Sequence, residues 1–192
     1  MEDICTIAIP RRRYDKLMHT PKARLLFEER CDVVIGFEPD NAISIKGKSD
    51  KVFFAKDVIR AYGNGFSLST SLQLTNEYYS LMVIDLKEFT NRKNQLKRIK
   101  SRLIGTNGKA KKTLETLSAC RISVKGRKVS AIGTLEDVEH LRKAIIDLID
   151  GKKHGTVYSY LEKMNRIKKI NSLLGQMHVN SDNCTDFRGR KK

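Results

Sequence analysis

The stretch Arg98-Ile-Lys-Ser-Arg-Leu-Ile-Gly-Thr-Asn-Gly-Lys-Ala-Lys-Lys112 decides the fold that we predict for this chain. Gly105 and Gly108 separate two runs in which apolar residues recur at helical spacing. Because glycine lacks a Cβ atom, these two positions allow a tight turn and the close approach of another backbone. The stretch therefore predicts two short helices joined by a four-residue turn. The apolar residues of the runs are Leu96, Ile99 and Leu103, then Ala110, Leu114 and Leu117.

The same turn is a predicted phosphate site. It precedes a helix, whose first N–H groups are unpaired and whose dipole favours an anion. Nine Lys or Arg residues and no Asp or Glu lie between Arg92 and Lys112. A lone G-x-x-G is a weak signal, so the elements around it have to carry the interpretation.

Those elements have a recognisable order. An apolar run over 78–86 predicts a strand before the two helices, and alternation over 121–124 predicts a strand after them. Gly126-Arg127 predicts a hairpin turn into a strand over 128–132, and Thr134 predicts the cap of a helix over 135–150. The order strand, helix, G-x-x-G, helix, strand, strand, helix resembles a type I KH domain, whose loop binds single-stranded RNA or DNA.

Three kinds of residue form the predicted RNA-binding site. The four backbone N–H groups from Thr106 to Lys109 face phosphates, basic side chains on the flanking helices add charge, and one apolar side chain offers a floor for a base. Two residues of the following strand contact a base from the far side of the groove. In these roles the predicted residues are Gly105, Thr106, Asn107, Gly108 and Lys109, then Lys100, Arg102 and Lys111, then Ile104, and finally Arg121 and Ser123.

The first half of the chain repeats this order. Strands are predicted over 4–9, 33–37 and 42–46, with helices over 11–17, from Pro21 to about Arg30, and over 50–62. Identical residues recur at offsets of 86 and 87, such as Gly47 with Gly133 and Lys22 with Lys109. We therefore predict an α+β fold with two tandem type I KH domains (β-α-α-β-β-α). The predicted divisions are 1–75 with a connector, 76–151, a C-terminal helix over 152–176, and a disordered basic tail over 177–192.

The first of these domains has a degenerate loop. Met18-His19-Thr20-Pro21 stands opposite the G-x-x-G turn and contains no glycine and one residue without an N–H donor. We expect this domain to keep the fold and to have lost most of the phosphate contacts.

Charge and composition point to a polyanion and away from catalysis. The net charge is +16, with 12 basic and 10 acidic residues over 1–75, 16 and 9 over 76–151, and 10 and 3 over 152–192. The four cysteines are scattered, without metal spacing, and predict reduced thiols. No constellation predicts an enzyme, a cofactor or a metal site. No signal peptide or membrane span is predicted, so we expect a cytoplasmic protein.

The joint pattern resembles one family, the tandem KH proteins of small ribosomal subunit assembly of the Dim/Pno type, in a short archaeal form. This resemblance implies a non-catalytic factor that binds precursor small-subunit rRNA near its 3′ end through the second KH domain. It also implies a PIN-domain endonuclease that trims that end, and the α subunit of translation initiation factor two, as partners. The residues that carry it are Lys97-Arg98-Ile99-Lys100, Arg102 to Lys109, Arg121-Ile122-Ser123-Val124, Ile132-Gly133 and His154-Gly155-Thr156-Val157-Tyr158.

Two other functions remain open at this point. The chain could be a protein-interaction scaffold in which RNA affinity is incidental. It could also be a KH subunit of RNA degradation or a general translational regulator, for which RNA contacts would be spread over many messages.

Overall fold

The computed structural model describes residues 2–182, and side chains are described over 3–174. The fold is mixed α+β with two three-stranded sheets. The first half contains β1 (Glu2–Ala8), α1 (Arg11–Met18), α2 (Pro21–Cys31), β2 (Val33–Glu38), β3 (Ala42–Lys48) and α3 (Ser49–Gly63), and a one-turn helix α4 (Leu68–Ser71) begins the connector.

The second half repeats this order and adds one helix. It contains β4 (Tyr79–Asp85), α5 (Lys93–Ile104), α6 (Lys109–Ser118), β5 (Arg121–Lys125), β6 (Lys128–Thr134), α7 (Leu135–Ile149) and α8 (His154–Asp182). The C-terminal helix continues to Asp182, six residues beyond its predicted end at residue 176. Gly175 costs helix stability without ending the helix. Residues 183–192 lie outside the described residues.

Both sheets have the same antiparallel topology, with the third strand of each half in the middle. The order is β1-β3-β2 in the first sheet and β4-β6-β5 in the second. The two-residue turn at Gly126-Arg127 brings Lys125 opposite Lys128, as the hairpin signal predicted. The strand β5 is consequently an edge strand of its sheet.

Two hydrophobic clusters fill the molecule, one for each half. The second-half cluster packs α5, α6, α7 and the start of α8 against the inner face of the β4-β6-β5 sheet. The other face of that sheet turns toward the first half, because Ile132 belongs to the first-half cluster and Tyr79 and Leu81 pack against it. The first half therefore covers the sheet face that the second half's own helices leave open.

Hydrogen bonds join the two halves at the C-terminal end of α3. Within the first half, Arg13 donates to the carbonyl oxygens of Gly65 at 2.7 Å and Phe66 at 3.1 Å. From the second half, Ser123 Oγ donates to Asn64 O at 2.9 Å and Lys125 Nζ donates to Gly63 O at 3.2 Å. Burial first, and then Arg13 and Arg12, lower the pKa of Lys125. Cations at a helix C-terminus stabilise the carbonyl end of the helix dipole.

The helix α7 begins as predicted. The Thr134 hydroxyl accepts from the backbone N–H of Asp137 at 3.4 Å, which caps the helix start. The Asp137 carboxylate also accepts two hydrogen bonds from Lys168 Nζ, at 2.6 and 2.7 Å. This ion pair fixes α8 against α7.

Candidate nucleic-acid interface

The backbone dihedral angles in the loop between α5 and α6 favour glycine. Gly105 has φ 71° and ψ 176°, and Gly108 has φ 75° and ψ 10°. Asn107, at φ 53°, tolerates the left-handed region better than most side chains. A Cβ atom at Gly105 would lie 2.6 Å from the Cβ of Ala110, whereas at Gly108 it would meet nothing within 4 Å. The first glycine is needed for packing as well as for conformation.

Two backbone amides of this loop are free to bind an anion. The N–H of Gly108 donates to Gly105 O at 3.2 Å, and that of Lys109 donates to Thr106 O. Within the described part of the chain, the N–H groups of Thr106 and Asn107 have no acceptor. The sequence predicted four available amides, and the turns of the loop itself use two of them.

The surroundings of the loop are basic and shallow. A pocket of about 400 Å³ beside it is lined by Lys97, Lys100, Ser101, Ile104, Gly105 and Thr106. Ile104 is 36% exposed, which leaves an apolar surface at the pocket. Lys100 and Lys109 form no ion pair with any described residue, so their charges remain available to a phosphate. The structure thus brings Lys100 and Ile104 together with the loop.

The edge strand β5 lies beside α6 and is joined to it by a carboxylate. The Oε1 atom of Glu115 accepts from the backbone N–H of Ile122 at 2.8 Å. Lys111 Nζ lies 3.8 Å from the same oxygen. Lys111 is therefore partly neutralised. Sequence reasoning missed Glu115, although it is the only acidic residue between Lys93 and Ser118.

In the structure, Arg102 and Ser123 both bond the protein's own backbone. Arg102 donates through Nε to Leu148 O at 3.2 Å and through a terminal nitrogen to Lys152 O at 2.5 Å, so it holds the end of α7. Ser123 is bonded to Asn64, on the sheet face that meets the first half. Arg121 is exposed and belongs to the same face by alternation along β5. The RNA contacts predicted for these three residues stay predictions.

The first-half loop offers no comparable amide. The N–H of His19 donates to Asp15 O at 2.9 Å, that of Thr20 donates to Leu17 O at 3.4 Å, and Pro21 has none. No residue from Met18 to Pro21 has a positive φ. The missing glycines thus coincide with a loop whose donors are already used.

Other functional sites find no support in the described residues. Among residues 2–182, no cluster of three or more His, Cys, Asp or Glu side chains could hold a metal ion. Burial raises the pKa of the Cys31 thiol to about 12 and that of Cys120 to about 11, so neither is a reactive thiolate near neutral pH. None of the helices described is both long and apolar enough to span a bilayer. Cys184 lies outside the described residues.

Comparison with known proteins identifies the class. The family model of the second KH domain of PNO1, described as a eukaryotic type KH-domain (KH-domain type I), matches residues 80–166. The chain belongs to the KH-domain proteins. Within that class, the chain is similar to proteins of the Dim2/Pno1 type.

Two curated relatives are about a third identical to this chain over the aligned residues. A KH domain-containing protein of Methanocaldococcus jannaschii is 31% identical over 141 residues, which cover 71% of this chain and 62% of the relative. The pre-rRNA-processing protein pno1 of Aspergillus fumigatus is 31% identical over 119 residues, covering 59% of this chain and 47% of the relative. The matches thus span about half to three-fifths of these relatives.

Solved structures match over most of both chains. A protein of unknown function from Aeropyrum pernix has a TM-score of 0.86 at 27% identity, covering 93% of this chain and 98% of its own. Dim2p from Pyrococcus horikoshii has a TM-score of 0.76 at 28% identity, covering 84% and 99%. The a/eIF2alpha-aDim2p-rRNA complex from the same organism contains a chain with a TM-score of 0.79 at 28% identity, covering 86% and 96%.

Proposed function

We propose that this protein is a non-catalytic ribosome assembly factor that binds single-stranded RNA through its second KH domain. Its target is the small-subunit rRNA precursor near the 3′ end, where it assists maturation of that end. The observation that carries the proposal is the loop at residues 105–108, with two unpaired amides on a segment of uniformly positive charge. Unpaired N–H groups and nearby cations are what a phosphate requires.

The proposed RNA surface is smaller than the predicted one. It comprises the loop, Lys100, Ile104, Lys109 and Lys111. We leave Arg102 and Ser123 out because both are bonded to the protein's own backbone, and Arg121 because its face of the sheet turns away from α6.

For the first half, we propose a KH domain that keeps the fold without the phosphate-binding loop. The repeated element order and the repeated sheet topology support this reading. The proposed domain boundaries are 1–75 and 76–151, followed by the C-terminal helix.

The partners are proposed from the relatives. The similar chain from Pyrococcus horikoshii forms a complex with rRNA and a/eIF2alpha, and we propose the corresponding two partners for this protein. The PIN-domain endonuclease follows from the family's role at the rRNA 3′ end. The same role implies a cytoplasmic location.

Exchange of Asn107 for Asp tests the proposed RNA surface with a change of one side-chain atom. The left-handed backbone suits both residues, so the fold should be kept. The new carboxylate would face the phosphate that the free amides bind. A like charge at about 4 Å costs about 1 kcal/mol in water and up to about 4 kcal/mol at a partly desolvated surface, so we expect binding of a 3′-end rRNA oligonucleotide to weaken by about tenfold or more.

The matched control is Asn41→Asp. Asn41 also has a left-handed backbone, at φ 59°, and lies in the first half between β2 and β3. Both variants add one negative charge, so a loss common to both would reflect net charge alone and would refute the assignment to the loop. If RNA binding were unaffected by Asn107→Asp while a pulled-down protein partner persisted, the scaffold function would be favoured.

A further inference from the structure

A carboxylate stands in the groove where the proposed RNA strand would lie. Glu115 is on α6, seven residues after Gly108, which places it about 10 Å along the helix from the loop. Its side chain is 21% exposed, so it is reachable from solvent. A negative charge beside a bound polyanion is unfavourable unless it has a specific partner, and this one is placed where the bases of a clamped strand would lie.

The hydrogen bond with Ile122 uses only one of the two oxygens of the Glu115 carboxylate. Oε1 accepts the backbone N–H of Ile122, and Lys111 approaches the same oxygen. The Oε2 atom has no hydrogen bond to any residue of the part of the chain that the structure describes. An ionised carboxylate can only accept, so the free oxygen requires a donor.

The neighbouring strand edge is open at the same place. Lys125 and Lys128 flank the two-residue turn and form a hydrogen-bonded pair of the hairpin. Counting back from Lys125, every second residue of β5 therefore bonds to β6, and the residues between them point their backbone groups away from β6. The carbonyl of Ile122 and the N–H of Val124 therefore point to the free edge, beside Glu115. No side chain among the described residues hydrogen-bonds to either group.

The first half contains the same arrangement in a closed form. At an offset of 87 residues, Glu28 Oε1 accepts from the N–H of Ile35 at 3.1 Å. Arg24, at the position of Lys111, donates to Glu28 at 3.3 Å and also to the carbonyl oxygen of Ile35 at 3.3 Å. The carboxylate thus fixes an edge strand in both halves, and only the second half leaves the edge carbonyl uncovered.

We infer that Glu115 determines base specificity by accepting a hydrogen bond from the exocyclic amino group of a cytosine or an adenine. This inference rests on the proposed RNA-binding function. Cytosine N4 and adenine N6 are donors, whereas the corresponding O4 of uracil and O6 of guanine are acceptors and would face the carboxylate oxygen unfavourably. One nucleotide of the bound strand is therefore C or A in preference to U or G.

The test combines a protein variant with a change in the RNA. Glu115→Gln keeps an oxygen for the N–H of Ile122 and replaces the free oxygen by an NH₂ donor. Binding is measured for the full chain with a 3′-end rRNA oligonucleotide and with a set in which each C is changed to U and each A to G. We expect the unchanged protein to prefer C or A by about tenfold or more at one position, and the variant to lose or invert that preference only there.

A second arm removes only the amino group. At that position, purine riboside in place of adenosine, or 2-pyrimidinone riboside in place of cytidine, should weaken binding to the unchanged protein and not to Glu115→Gln. This comparison of four affinities isolates the contact even if the variant is somewhat destabilised.

Glu28→Gln is the matched control because it makes the same change at the repeated position, where the edge is closed. It should leave every preference unchanged. Equal preferences in the Glu115→Gln and unchanged proteins would overturn the inference while leaving RNA binding intact. Absence of RNA binding by the unchanged protein would instead overturn the proposed function, and the inference with it.

Discussion

The two glycines of the loop between α5 and α6 should contribute very differently to stability, although a G-x-x-G pattern makes them look equivalent. We compare Gly105→Ala with Gly108→Ala. Gly105 combines φ 71° with ψ 176°, a region that only glycine enters readily, and forcing another residue into it costs on the order of 1–3 kcal/mol. The added methyl would also lie 2.6 Å from Ala110 Cβ and 2.8 Å from Ala110 N. Overpacking of this kind costs about 1–3 kcal/mol.

At Gly108 an added methyl group would not be overpacked. Its backbone is left-handed helical and a Cβ atom there meets nothing within 4 Å. The strain for alanine is about 1–2 kcal/mol, partly offset by about 0.4–1 kcal/mol because alanine has fewer unfolded conformations than glycine. The net cost is about 1 kcal/mol, against about 3 kcal/mol or more for Gly105→Ala.

Thermal unfolding followed by circular dichroism, with urea titration as a second measure, tests the difference. At about 2–4 °C of Tm per kcal/mol for a chain of this size, Gly105→Ala should melt about 4–8 °C below Gly108→Ala. Both variants lack one glycine and neither changes charge, so each is the control for the other. Equal melting temperatures would show that the contact with Ala110 does not govern this loop and would refute the reasoning.

Two further predictions concern α8 and its attachment. Lys168→Met leaves the Asp137 carboxylate, whose side chain is only 12% exposed, without its cation, so the free energy of unfolding in urea should fall by about 1–3 kcal/mol. The loss is smaller than for a fully buried pair because the Lys168 side chain is 38% exposed. An equal loss in Lys169→Met would show that the ion pair does not contribute to stability. Burial first, and then the nearby Arg102, lower the pKa of His154 below its usual 6.5. The unfolded chain therefore binds a proton at this histidine more readily than the folded chain does. Stability should fall as the pH drops from 6.5 through the lowered pKa of the folded state. His154→Gln should lose less stability between about pH 7 and about pH 5, and parallel losses in the two proteins would contradict the shift.

Local physics made much of the second half predictable. The apolar spacing of α5 and α6, the hydroxyl cap at Thr134 and the two-residue turn at Gly126 each act within a few residues. These features are also the ones that the structure contains at the predicted places. The repeat at offsets of 86 and 87 then transferred the same order of elements to the first half.

The bonding partners of two predicted site residues could not be predicted from local patterns. Alternation correctly separates Arg121 and Ser123 from Ile122, but it cannot say what will cover the outer face of the sheet. That face meets the first half, so Ser123 bonds Asn64, a residue 59 positions away in the sequence. Arg102 likewise finds its partners 46 and 50 positions away, at the end of α7. A basic or polar residue near a glycine loop predicts RNA binding only when no such distant carbonyl is in reach.

The packing of the two halves is consistent with the uneven distribution of charge along the chain. The first half carries 12 basic and 10 acidic residues over 1–75, and it covers the outer face of the second sheet through contacts such as Ile132. A strand of RNA can then approach the second half from the side of α5, α6 and the free edge of β5. The unpaired cations and the two free amides lie on that side. A nearly neutral half that closes one face, and a basic half that leaves the other open, fit the proposed binding of RNA at a single groove.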